Sequence, residues 1–129
     1  MRNRRRNPLV LWAPAFAYMA FIFYMSSMSE PPLPANVSDK LAHTLGYSLL
    51  GALILRAVAG RSGRRLRWWQ IVVAILLATL YGVSDEYHQS FVPGRDSDIH
   101  DVYADAIGGA IGAGVWFACG IIWPRFTDV

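Results

Sequence analysis

The sequence predicts an all-α integral membrane protein, a bundle of four transmembrane helices with the N- and C-termini cytoplasmic. Three observations lead there. Of 129 residues, 54% are hydrophobic and only 16% charged, against roughly 25% charged in ordinary soluble domains. The charges are segregated, which leaves several uncharged stretches near the length of a bilayer crossing. Arginines, finally, gather at alternate breaks between those stretches. A soluble domain of this size would have to hide almost every face of every helix, and it has too little interior to do so.

The first segment, Leu9–Met28, is uncharged and as a helix spans roughly 30 Å. Pro14 lies one turn inside its start and is a site for a slight bend. The preceding arginines also fit a secretory signal peptide, but the apolar run is long for one and no small-x-small cleavage site follows, so an uncleaved helix is expected. Pro31, Pro32 and Pro34 then enforce an extended connection. Ser38 is a good N-cap for a second helix over Asp39–Ala59. A basic turn follows at 60–67. The third helix begins near Trp68–Trp69 and runs at least to Val83, with Gln89 as its outer limit. The fourth covers about Val102–Trp123, with Pro124 as terminator. The chain thus divides into a basic cytoplasmic N-terminus (1–8), one membrane domain (9–123) and a short cytoplasmic tail (124–129).

Orientation follows from the basic residues. Arg2, Arg4–Arg6, Arg56, Arg61, Arg64, Arg65, Arg67 and Arg125 fall on one side when four helices alternate, while Lys40 and Arg95 fall on the other. The positive-inside rule makes the arginine-rich side cytoplasmic, with Trp68, Trp69 and Trp123 as interfacial anchors there. The formal charge of +3 does not point to nucleic acid, because no basic face is long enough to follow a phosphate backbone. Cys119 stands alone in an apolar segment and is expected to be a packing residue.

Nearly all carboxylates fall on the other side, and they are not spread evenly. Asp39, His43 and Tyr47 recur every four residues, so a carboxylate, an imidazole and a phenol share one face of the second helix. There His43 is either a ligand-binding or catalytic group or a histidine hydrogen-bonded to another helix. Asp85 can share a face with His88 and Gln89, and Glu86 with Gln89. Val92-Pro93-Gly94 then breaks the helix. Arg95 follows, either to clamp a carboxylate or phosphate or to lock the loop by pairing with Glu86 or Asp101. Asp98 and Asp101 fit the N-cap and N3 positions of the fourth helix. Asp105 lies a turn deeper, where an unpartnered carboxylate is expensive, so it should face the bundle or a wet cleft and partner Arg95, His43 or a polar group on helix three. Gly108 and Gly112 form a small-residue stripe suited to close helix contact, with Gly46 and Gly51 as possible complements on helix two.

These motifs, Ser38-Asp39-Lys40-x-x-His43-x-x-x-Tyr47, Asp85-Glu86-x-x-Gln89-x-Phe91-x-Pro93-Gly94-Arg95 and Asp101-x-x-x-Asp105-x-x-Gly108-Gly109-x-x-Gly112, resemble those of the VanZ-like membrane proteins over roughly Asp39–Gly114. That family usually carries Asn where Asp105 stands. The resemblance implies a cell-envelope protein of the bacterial inner (cytoplasmic) membrane. The family's founding member is associated with low-level teicoplanin resistance, but the family has no settled reaction. The resemblance carries over His43, Glu86, Gln89, Arg95 and Asp101 as site positions.

The leading expectation is recognition or modification of an anionic lipid or lipid-linked cell-wall precursor at the outer leaflet. His43 and Glu86 would exchange a proton and Asp101 would orient Arg95 or His43. Arg95, Gln89 and Tyr47 would hold the headgroup, while Asp39, Asp85, Asp105, Gly108 and Gly112 would support the structure. Whether the protein is an enzyme stays open. A non-enzymatic envelope protein that binds a partner or forms a homo-oligomer is the main alternative, and a small transporter is a third. No cofactor is expected. A divalent metal is the weaker variant, because no compact metal-ligand motif such as H-E-x-x-H appears. Nucleotide-binding and nucleophile-elbow motifs are absent too.

Overall fold

A computed structural model describes residues 7–60 and 66–122. It contains four helices: α1 (Pro8–Ser26), α2 (Asp39–Ala59), α3 (Trp68–Gln89) and α4 (Ile99–Ile122). Each is long and apolar enough to cross a membrane, and no strand occurs among the described residues. The arginines of 1–6, those at 61, 64 and 65, and the Trp123, Pro124 and Arg125 assignments lie outside the described residues.

Helix boundaries follow capping chemistry. Asn7 accepts from the Leu9 N–H, with Pro8 in the first helical position, where its missing N–H costs nothing. Ser38 caps α2 as expected, its hydroxyl accepting from the Leu41 N–H at 3.1 Å. Two expected limits are corrected. The first helix stops at Ser26 rather than Met28, because the Ser27 N–H closes the last turn onto Phe23 and Tyr24. The fourth starts at Ile99 rather than near Val102, because the Asp98 carboxylate accepts from the His100 N–H at 2.9 Å and begins the helix before the apolar run.

α2 is the centre of the bundle, touching α1, α3 and, most extensively, α4. That last interface rests on missing side chains. A Cβ at Gly108 would run into the Thr44 carbonyl, and one at Gly112 into the Ser48 carbonyl, so the stripe from Ala104 to Gly112 lies directly on the α2 backbone. Gly51 completes the contact against Gly109. Gly46, the other expected complement, instead faces α1, where its carbonyl accepts from the Tyr18 hydroxyl at 2.8 Å.

Below the polar end, Ala15, Leu50, Ile54, Leu55, Ala74, Ala78 and Ala113 form the apolar interior. The large apolar side chains elsewhere point outward; Phe16, Leu45, Leu49, Leu76, Leu80, Ile107 and Ile111 are all at least half exposed. A soluble protein rarely presents so much contiguous apolar surface, whereas lipid tails solvate it without cost. Cys119, expected to pack inside, is exposed on α4. The protein is a multi-pass membrane protein.

Candidate functional site

The polar residues converge at the end of the bundle where the 27–38 and 90–98 connections meet. Asp85, Glu86, Gln89, Asp101 and Asp105 are buried there, with His43 and Tyr47 beside them. Buried carboxylates need partners, and two networks supply most of them.

The first network joins α2 to α4. His43 Nδ1 lies 2.7 Å from Asp105 Oδ1. A carboxylate accepts, so Nδ1 donates in this contact and Nε2 is left facing the other side of the ring. Of the three partners expected for Asp105, the structure selects His43. The other carboxylate oxygen of Asp105 lies against Gly82, where a Cβ would come within 2.7 Å of it. Nε2 of His43 faces Asp39 at 3.9 Å and Asp101 at 4.0 Å. Lys40 pairs with Asp101 through its other oxygen, and with Asp98 at 2.9 Å. The His100 N–H, the Lys40 ammonium and the His100 ring together hold the Asp98 carboxyl well below the usual carboxylate range.

The second network joins α1, α2 and α3. Asp85 accepts from the Ser26 hydroxyl and from the Tyr47 phenol, the latter at 3.0 Å, and Gln89 donates its amide to Ser26 Oγ at 3.1 Å. Gln89 and Tyr47, expected to hold a headgroup, make these hydrogen bonds inside the protein while also lining the adjacent cleft. Replacing Ser26 by alanine removes the hub of this network. The expected cost is about 1–3 kcal/mol, since a buried acceptor and a buried donor each lose a partner. Thermal unfolding in detergent would check it, and an unchanged midpoint would show that the network carries no stability.

Glu86 and Arg95 sit differently from the expectation. Glu86 Oε1 accepts from the Asp98 N–H at 2.7 Å, so it anchors the start of α4, while Oε2 is buried with no hydrogen-bond partner among the described residues. No contact joins Glu86 to His43 as a proton-exchanging pair among the described hydrogen bonds. Arg95 makes no ion pair with Glu86 or Asp101 among the described residues. Its guanidinium makes one long bond, 3.4 Å, to the Met28 carbonyl. Gly94, at φ +80°, makes the turn that brings this segment against Ser29.

A cleft of about 210 Å³ opens beside both networks. Arg95, Asp39, His43, Asp85 and Gln89 line its polar part, and Phe21, Ile22, Met25 and Leu33 its apolar part. Drug-sized pockets run to about 300–1,000 Å³, so this one holds only a small group. Sequence reasoning missed Lys40 and Ser26 as network members. Lys40 stands 61 residues from Asp101, and Ser26 is a small hydroxyl ending an apolar run. His88, outside the family pattern, stacks on Phe23 at 4.4 Å.

The family model described as VanZ/LLP1 matches residues 15–122, a span that takes in nearly all of the four helices and the whole cluster. No curated protein and no solved structure gave a match. On that match, and on the four-helix architecture that carries the motifs, the chain belongs to the VanZ/LLP1 family.

Proposed function

We propose that this protein recognises, and in one version modifies, an anionic lipid or lipid-linked cell-wall precursor in the outer leaflet of the bacterial cytoplasmic membrane. In this reading both termini are cytoplasmic and the polar end of the bundle faces outward, as the arginine distribution favours. The observation that carries it is Arg95: a guanidinium without a carboxylate partner among the described residues, lining a cleft that also has apolar residues of α1 in its wall. An amphipathic ligand meets both requirements, its phosphate on the fork of N–H donors and its tail along α1. Sequestration or alteration of a cell-wall precursor would link the protein to glycopeptide susceptibility. Modification would fall to His43, whose Nδ1 is held by Asp105 and whose Nε2 is the available base.

One observation favours a non-enzymatic role instead. Tyr47, Asp85, Gln89 and Ser26 are hydrogen-bonded to each other, as in a network that specifies the fold. Mass spectrometry of lipids retained by gently purified protein separates the two. Arg95→Ala should keep its fold, since it loses only one long hydrogen bond. It should also lose a bound anionic lipid by at least about tenfold, equivalent to roughly 1.4 kcal/mol. The same lipids on both proteins would remove Arg95 as a headgroup clamp and leave the structural reading.

A further inference from the structure

With Nδ1 committed to Asp105, Nε2 is the remaining polar atom of the His43 ring. The side chain is only 8% exposed, and Nε2 makes no hydrogen bond among the described residues. It points between Asp39 Oδ2 at 3.9 Å and Asp101 Oδ2 at 4.0 Å. Those separations are too long for hydrogen bonds. Nevertheless the three ligand atoms lie within 4.8 Å of one another; ligands at about 2.0–2.2 Å from a common ion lie at most about 4.4 Å apart, so a small movement of one carboxylate completes the grouping.

Charge points the same way. Asp39, Asp85, Glu86, Asp98, Asp101 and Asp105 crowd this end of the bundle, and Lys40 and Arg95 are the fixed cations that accompany them. Glu86, 5% exposed, keeps one carboxylate oxygen unpartnered. A carboxylate that holds the far nitrogen of a histidine is the arrangement by which metal-binding imidazoles are oriented and made more basic. Here Asp105 plays that part, and Lys40 steadies Asp101 from its other oxygen.

We propose that Asp39, His43 and Asp101 bind one divalent cation, with Asp105 as the positioning residue behind His43. One imidazole and two carboxylates suit a first-row ion in the range from Mn²⁺ to Zn²⁺. The ligands come from two helices and from sequence positions far apart, so no compact motif announces them. Asp39 is half exposed and makes no hydrogen bond among those described, which leaves its side chain free to close onto the ion. The proposal does not depend on lipid recognition, because the ligands are all protein side chains, but a cation on Nε2 takes the place of the general-base role proposed for His43.

The full-length chain, purified in detergent and stripped with chelator, is titrated with Mn²⁺ while electron paramagnetic resonance follows the free ion. The expected result is one bound Mn²⁺ per chain, displaced by Zn²⁺, with imidazole nitrogen coupling in the spin-echo spectrum. Asp39→Asn should weaken binding by about tenfold or more and leave the metal-free melting temperature unchanged. Lys40→Met should tighten binding, because it frees Asp101 from a competing cation. No binding of either ion at up to about 1 mM, or binding that Asp39→Asn leaves unchanged, overturns the proposal. Neither result bears on Arg95, whose lipid comparison stands or falls separately.

Discussion

Replacing Gly112 by alanine is expected to force α2 and α4 apart and to cost about 3 kcal/mol, the upper end of the usual overpacking range. The added methyl would occupy the position of the Ser48 carbonyl, and backbone cannot swing aside as the tip of a flexible side chain can. Relief by sliding is closed off as well. Gly108 against Thr44 and Gly51 against Gly109 hold the same two helices at the same separation a turn or more away. Gly114 supplies the control, since a Cβ there meets nothing within 4 Å. On the same helix, Gly114→Ala should be neutral or stabilising by up to about 1 kcal/mol, because glycine is the poorer helix former. Unfolding midpoints of both variants in one detergent decide the matter. If Gly112→Ala melts with the wild type, the helices are not packed on their backbones. The effect should also reach the polar end, because the α2–α4 separation sets the distance between His43 and Asp105.

That dependence explains what was legible in the sequence. The helices were, because uncharged runs and clustered prolines are local signals, and Ser38 announced α2 by its own hydroxyl. The start of α4 was legible in the N-cap pattern of Asp98, which does satisfy the His100 N–H, and not in the apolar run near Val102, which marks membrane depth instead. The Gly108–Gly112 stripe was readable on α4 and Gly51 on α2, but the rest of the counterpart is the backbone of Thr44 and Ser48, small residues four apart that a glycine pattern passes over. Without that register His43 could be placed on a face but not against Asp105, 62 positions away. The same gap left both readings of Arg95 open, and only the assembled loop shows that it pairs with neither Glu86 nor Asp101 among the described residues. Tyr47 and Gln89 both line the cleft, and their hydrogen bonds to Asp85 and Ser26 come from residues 38 and 63 positions away, which no local pattern announces.

The other large effect is expected at Asp105, the fully buried acid whose bond to His43 ties α2 to α4. Asp105→Ala removes the acceptor, strands the Nδ1–H in a membrane-embedded interior and leaves a gap beside Gly82. Breaking a buried pair from one side in this way costs about 3–5 kcal/mol when the survivor is charged and about 1–3 when it is neutral. Asp105→Asn keeps a carbonyl oxygen in the position of Oδ1 and should cost no more than about 1 kcal/mol. His43→Phe alone leaves Asp105 buried without its donor and should be as damaging as Asp105→Ala. Combined, the two changes remove both polar groups at once, so the double variant should be less destabilised than the sum of the singles by about 1–3 kcal/mol. A double-mutant cycle on thermal unfolding in detergent measures that difference directly. Additive losses would mean that the 2.7 Å contact contributes nothing and that packing alone holds α2 on α4. A large coupling would make the pair a structural hinge-pin of the polar end. In that case the half-exposed Asp39, which stabilises nothing by hydrogen bonding among the described residues, is the position where ligand binding can be altered without altering the fold.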